Sequence, residues 1–170
     1  MIVLFALISE IPFDLALKGN WYFPGKQNVY FTLLIGLLTL IGLDWISRYY
    51  HTNTVMASQF KKILFTLISI AGCVLFIFIG MKLAARIDTD YNYKGVLLIA
   101  VLYLTREMRL YQCFTGAIAV SWELPAPLGF IPVYLYNGKR GLKMKYFFYW
   151  FYPIHLLFLH VIADYIIPAL

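Results

Sequence analysis

Two acidic side chains lie four residues apart in an otherwise apolar stretch at the start of the chain. Glu10 and Asp14 flank Pro12 within Met1–Leu17, so a helix over this stretch places both carboxylates on one face. Proline has no backbone N–H, so the same turn leaves a carbonyl group without its usual donor. Two carboxylates this close suit general acid–base chemistry or cation coordination. The alternative is a pair near a helix end that contacts water or Lys18.

Two histidines lie in the apolar run near the end of the chain. An imidazole takes up and releases protons near neutral pH, so His155, two residues after Pro153, is a candidate catalytic base. Its alternative role is a hydrogen bond to a neighbouring helix. His160 is five residues further on and faces another side of the helix. We therefore place His155, and not His160, in the predicted site.

Three further polar residues are candidates for contacts with a polar substrate, namely Gln27, Asn28 and Glu123. Asn28 stands where an apolar run begins, and an N-cap is its alternative role. Glu123 precedes Pro125 and Pro127, which interrupt the helix. Irregular backbone at membrane depth is tolerated only where protein or water satisfies it, so Glu123 could line a cavity.

A short basic loop, Asn137–Lys145, contains four Lys or Arg residues and two glycines. Such groups bind the phosphates of a cytosolic donor. The candidate contacts are Asn137, Gly138, Lys139, Arg140, Gly141 and Lys143. The alternative role is an anchor that keeps this loop on the cytoplasmic side of a membrane. The sequence has no Walker loop, GxSxG, HExxH or zinc-ligand spacing, and we expect no metal.

The composition indicates whether these residues are surrounded by water or by lipid. The chain has 170 residues, of which 62% are apolar and only 13% charged, and its mean hydropathy is +0.77. Soluble domains carry about 25% charged residues. The net charge of +6 comes from basic residues in short gaps between apolar runs, which favours anionic lipid headgroups and not nucleic acid as the partner. The sequence therefore predicts an integral membrane protein in contact with a lipid bilayer.

The apolar runs predict an all-α polytopic membrane fold, because period-2 alternation is absent. After a short segment at Gly95–Thr105, Leu110–Tyr136 is either one broken helix or two short helices joined at the ELPAP stretch, which gives six or seven short transmembrane helices. We prefer two, because Pro125 and Pro127 rarely continue a helix. The whole chain, 1–170, is one predicted domain. The other predicted spans are Met1–Leu17, Val29–Leu43, Ile63–Met81 and Tyr146–Ala163.

The chain resembles the TraX family in five strings that occur in the same order and cover it from Phe5 to about Leu157. They are FALISEIPFDLA (5–16), QNVYFTLLIGL (27–37), GVLLIA (95–100), YNGKRG (136–141) and KYFFYWFYPIHL (145–156). The resemblance implies an integral-membrane acyltransferase that uses acetyl-CoA. The acyl group would pass to an amine or hydroxyl of an acceptor, such as a pilin subunit or a cell-surface glycan. It also implies the bacterial cytoplasmic (inner) membrane, and the four basic residues of loop 137–145 place that loop in the cytoplasm.

The same resemblance implies roles for the polar residues. Glu10, Asp14, Gln27, Asn28 and His155 match recurring polar positions of the family, with His155 as the base and Glu10 or Asp14 orienting it. The string Asn137 to Gly141 matches the cytosolic loop, where CoA phosphates would bind. Family members carry further helices, including an Asp–His pair, before the SEIPFD segment, so we expect this chain to lack those N-terminal helices.

Two other classes of function stay open. One is a small proton-coupled transporter that uses Glu10, Asp14 and Glu123. Transporters of this class typically contain broken helices in two related halves. The sequence has one strongly broken region and no repeat. The other is a non-catalytic membrane assembly subunit.

Overall fold

The computed structural model describes residues 1–139 and 141–166, and the regular structure within them is helical. A 3₁₀ turn (Ala126–Gly129) precedes the sixth helix, and a π-helical turn (Ile162–Ile166) continues the seventh. The predicted all-α fold is confirmed, with seven α-helices in the described residues. They are α1 (Ile2–Lys18), α2 (Val29–Thr54), α3 (Gln59–Ile87), α4 (Asn92–Leu104), α5 (Arg109–Ala119), α6 (Phe130–Leu135) and α7 (Lys145–Val161).

Three helices in the described part of the chain are long and apolar enough to cross a membrane. They are α2, α3, and α7 together with the turn after it as far as Asp164. The predicted run Ile63–Met81 lies inside α3, and many of its apolar side chains point away from the protein. Leu67 and Val74, for example, are 60% and 61% exposed. Apolar side chains exposed along a whole helix need lipid around them, so this fold is that of a membrane protein.

The proline-rich region forms two short helices, as predicted. α5 ends at Ala119, and the chain then passes through turns and the 3₁₀ segment before α6 begins at Phe130. The ring of Phe130 packs on Gly116 of α5, where a Cβ atom would lie 2.5 Å from that ring. Because glycine has no side chain, α6 folds back closely on α5 and the two prolines lie in the connection.

Small residues let α2, α3 and α4 approach closely. Gly80 of α3 is buried where the three helices meet, and a Cβ atom there would clash with Thr39 Oγ1 of α2 and lie 3.2 Å from Val96 Cγ1 of α4. Ile35, Ala84 and Val96 form the buried apolar core beside this junction. Close approach through small residues is the usual way that membrane helices associate.

Substitution of Gly80 by alanine is expected to destabilise the protein by about 1–3 kcal/mol, because a packed core resists extra methyl groups. Gly72→Ala on the same helix is the matched control. A Cβ atom there meets only the flexible end of Ile46 at 3.1 Å, and alanine favours helix by about 1 kcal/mol over glycine. Thermal unfolding in detergent measures both variants. Equal unfolding temperatures would contradict a close helix junction at Gly80.

Aromatic side chains hold α1 against α7. The Phe5 ring stacks on the Tyr149 ring at 4.8 Å between centroids and meets the Trp150 ring edge-on at 5.3 Å. Tyr30 of α2 joins them, since its hydroxyl donates a hydrogen bond to the Tyr149 carbonyl at 3.1 Å. Its ring also meets the ring of Tyr152 edge-on at 5.2 Å. The aromatic residues at the start of α7 therefore hold α7 against α1, the helix that carries Glu10 and Asp14.

Candidate functional site

The connection between α1 and α2 turns back along α1. We call residues 19–28 the return segment. Gly19 ends α1 with a φ of 66°, a left-handed conformation that glycine adopts without strain. At the other end of the return segment, the Gln27 N–H donates a hydrogen bond to the Asp88 carbonyl, at 3.0 Å, in the turn between α3 and α4. The segment is thereby held at both ends, which sets the point where α2 begins beside α1.

Asn28 is fully buried and joins the start of α2 to the middle of α1. Its Oδ1 accepts a hydrogen bond from the Tyr30 N–H at 2.9 Å, so the predicted N-cap is confirmed. Its Nδ2 donates to the Ala6 carbonyl at 2.7 Å and also to the Glu10 carboxylate. The Asn28 N–H lies 3.4 Å from the same oxygen, Oε2 of Glu10. One amide side chain therefore caps a helix and orients a carboxylate.

Asp14 is fully buried on the same face of α1. Its Oδ2 accepts a hydrogen bond of 2.7 Å from the Phe23 N–H, in the return segment. Three buried atoms on α1 have no hydrogen-bond partner among the described residues: Oδ1 of Asp14, Oε1 of Glu10 and Oγ of Ser9. A buried polar group left unsatisfied costs about 1–3 kcal/mol, and more when it is charged. Such groups in a folded protein require an explanation, such as a catalytic role or a bound water or ion.

The structure thus brings Glu10, Asp14 and Asn28 together, with Pro12 buried between the two acids. Gln27 lies next to them in the chain, but its side-chain amide is directed to the Pro24 carbonyl at 3.4 Å within the return segment. We call Glu10, Asp14 and Asn28 the carboxylate cluster. Among the residues predicted from the sequence to be functional, these three form the most buried group.

His155 lies on α7 beside this region. Its Nδ1 is 3.0 Å from the Tyr152 carbonyl of the same helix, and its ring stacks on Phe151 at 5.3 Å with 2° between the planes. In the described part of the chain, no hydrogen bond or ion pair joins His155 to Glu10 or Asp14. Its role as the base stays a prediction.

Glu123 is exposed at the end of the helices where α4 begins. Burial raises the pKa of Tyr91, and the nearby carboxylates of Glu123 and Asp90 raise it further. The neighbouring Trp122 ring lies 5.3 Å from Nζ of Lys94. Glu123 therefore belongs to a surface group at the α3–α4 turn, and its role in substrate binding stays a prediction.

The basic loop is exposed over its described residues, which include Asn137, Gly138, Lys139, Gly141 and Lys143. Oδ1 of Asn137 accepts a hydrogen bond from the Lys139 N–H at 2.9 Å, and between them Gly138 has a φ of 75°. The left-handed backbone conformation at this position of the turn favours glycine. The side chains of Lys139 and Lys143 are thus presented to solvent.

The residue that precedes the loop is bound to α5. The Arg109 guanidinium donates a hydrogen bond to the Tyr136 carbonyl just before the loop. Arg109 is therefore a further cation near the loop, and it was not predicted from the sequence. Arg140, also predicted to contact a donor phosphate, lies outside the described residues.

A histidine–carboxylate contact near the end of α7 was also missed. His160 Nδ1 lies 3.1 Å from Asp164 Oδ2. The spacing of four residues places the two side chains on one helix face and was visible in the sequence.

Apolar helices with a buried carboxylate cluster define a polytopic membrane protein with an internal polar site. The chain belongs to the TraX protein family, whose sequence model matches residues 1–163. This confirms the resemblance in the sequence. No curated protein and no solved structure matches the chain.

Proposed function

We propose that this protein is a membrane-embedded acyltransferase. It moves an acetyl or other acyl group from acetyl-CoA to an amine or hydroxyl acceptor, such as a pilin subunit or a surface glycan. The observation that supports this most is the carboxylate cluster, in which Glu10 and Asp14 each keep one buried oxygen without a partner. A buried acidic side chain is costly unless its charge is paired and hydrogen-bonded, so two such residues side by side are candidates for function.

The cluster suits the acceptor side of such a reaction. An amine or hydroxyl must lose a proton as it attacks a thioester, and a group placed to receive that proton lowers the barrier. Asn28 holds Oε2 of Glu10, which leaves Oε1 to interact with a reactant. His155 is the base that the sequence proposes, with Glu10 and Asp14 as groups that orient the acceptor or the imidazole.

The basic loop suits the donor side. Lys139, Lys143 and Lys145, together with Arg109, present cations that pair with the phosphates of CoA. Lys145 begins α7, and the next turns of α7 pack on Phe5 of α1. A donor held at the loop can therefore extend its pantetheine arm along α7 towards the carboxylate cluster.

The test is acetyl transfer in membranes that contain the overproduced protein and acetyl-CoA labelled in its acetyl group. We expect label to enter the protein or glycan fraction in these membranes and not in membranes with the doubly substituted Glu10→Gln, Asp14→Asn protein at equal abundance. Mild alkali releases the label from an ester but not from an amide, so it distinguishes a hydroxyl from an amine acceptor.

Other results would point to the rival classes of function. A proton or solute flux in proteoliposomes that needs no CoA would favour a transporter. A protein that binds no CoA but purifies with a partner would favour an assembly subunit. Either result, with no transfer of label by the unmodified protein, contradicts the proposal.

A further inference from the structure

His160 and Asp164 form a pair in which the imidazole is oriented by a carboxylate. The His160 side chain is only 13% exposed, and its Nδ1 is 3.1 Å from Asp164 Oδ2. A carboxylate at Nδ1 keeps the proton on that nitrogen and leaves Nε2 as the nitrogen with a free lone pair. Asp164 belongs to the π-helical turn that continues α7, and such turns are frequent at functional sites.

The pair borders a cavity of about 620 Å³ between the C-terminal ends of α1 and α7. Pockets with apolar walls and a few convergent polar groups are the usual form of a small-ligand site. The polar groups here are the imidazole and the carboxylate. The remaining walls are formed by Leu15, Gly19, Trp21, Leu157 and Val161.

The cavity and the carboxylate cluster involve the same two segments of the chain. Leu15 follows Asp14 directly on α1, so one helix turn carries both the cavity wall and the buried acid. Trp21 is two residues before Phe23, whose N–H donates to Asp14. Both sites are therefore built from the last turns of α1 and from the return segment.

We propose that His160, oriented by Asp164, is the base of the acyl transfer, and that this cavity receives the nucleophilic end of the acceptor. The assignment rests on the proposed function and moves the role of base from His155 to His160. His155 has only a carbonyl of its own helix at Nδ1, and it does not line this cavity. His160 has both a charged orienting partner and room for a reactant.

The reaction balances without another reagent. The lone pair of the acceptor nitrogen or oxygen attacks the thioester carbonyl carbon, and the new C–N or C–O bond forms as the C–S bond breaks. The acceptor proton passes to Nε2 of His160. The sulfur of CoA leaves with the electron pair of the broken bond and takes the proton from the imidazolium, which restores the neutral base. Asp164 stabilises the imidazolium while it exists and keeps its own charge.

The first experiment compares transfer rates at equal abundance in membranes. His160→Gln is expected to lower the rate by about 10²–10⁴-fold, the usual contribution of a general base. Asp164→Asn is expected to lower it less, and Asp164→Glu, which keeps the carboxylate, to recover part of the loss. His51→Gln, on an exposed histidine at the end of α2, is the matched control and is expected to transfer at the rate of the unmodified protein. Added imidazole is expected to restore transfer to His160→Ala.

These outcomes separate the assignment of the base from the proposed function. Full transfer by His160→Ala, or a loss that imidazole does not repair, overturns the assignment. Loss of transfer in His155→Gln alone returns the role to His155 and leaves the proposed function intact. No transfer by the unmodified protein overturns both.

A second measurement needs no acceptor. Diethyl pyrocarbonate modifies the free imidazole nitrogen, and peptide mass spectrometry follows each histidine separately. In the purified protein, Asp164→Asn is expected to slow the modification of His160 several-fold and to leave that of His51 unchanged. An unchanged rate at His160 would show that Asp164 does not orient it, and the assignment fails.

Discussion

Replacing Asn28 by aspartate is expected to lower the free energy of unfolding by about 3–5 kcal/mol, the usual effect of a buried charge without a partner. The two side chains have nearly the same shape, so the change is one of hydrogen bonding and charge. Aspartate loses the donor that serves the Ala6 carbonyl and the Glu10 carboxylate. It also places a second negative charge against Glu10 in a position with no exposed surface.

Thermal unfolding in detergent and the fraction of monodisperse protein measure this effect. Proteins are stable by only about 5–15 kcal/mol, so we expect a large fall in the unfolding temperature or a failure to accumulate. Asn20→Asp is the matched control, because this asparagine lies exposed in the same return segment and its amide only reaches the Lys18 carbonyl at 3.4 Å. If both variants unfold at the same temperature, Asn28 does not join α1 to α2 as the structure shows.

The spans could be predicted from the sequence because the length of an apolar run carries the information. A helix must cross about 30 Å of hydrocarbon, which takes about twenty residues, so an apolar run of that length predicts a membrane span. The predicted Ile63–Met81 lies within α3, which begins four residues before it and ends six after it, and Tyr146–Ala163 agrees with α7 and the turn that follows it. The break near Pro125 followed from proline's missing N–H. These are local properties of the chain.

The arrangement of the helices could not be predicted in the same way. In a soluble helix the apolar face points to the core, but here lipid and protein interior are equally apolar, so the pattern does not tell which face is buried. Gly80 and Gly116 mark close helix contacts only once their partners are known. The packing of Phe5 on Tyr149 likewise joins residues from the two ends of the chain.

The carboxylate cluster was predictable in part. The spacing of Glu10 and Asp14 placed both on one face of α1, and the position of Asn28 indicated an N-cap. The sequence does not show that the return segment folds back. That fold depends on contacts far apart in the chain, such as the ion pair of 2.9 Å between Lys26 and Asp90. The link from Asn28 to Glu10 is a consequence of that fold.

Glu10→Gln is expected to reduce acyl transfer by about 10²-fold or more while it leaves the unfolding temperature close to that of the unmodified protein. The glutamine carbonyl oxygen can still accept the hydrogen bonds that Asn28 donates to Oε2. What is lost is the charge of the carboxylate, and an NH₂ group takes the place of the second oxygen, Oε1, which is buried and without a partner in the described residues. A carboxylate that only held Asn28 would be replaced by an amide with little effect on the reaction.

Initial rates of label transfer, at saturating acetyl-CoA and equal protein abundance, measure this change. Glu107→Gln is the matched control, since that side chain is 83% exposed in the turn between α4 and α5 and pairs only with Arg106 at 3.6 Å. A purely structural Glu10 predicts the opposite pattern, with a lower unfolding temperature and a rate per folded molecule that does not change. The substitution removes the charge but keeps the hydrogen bonds from Asn28. A catalytic and a structural role of Glu10 therefore give different results. Loss of rate without loss of stability would place Glu10 at the reacting groups.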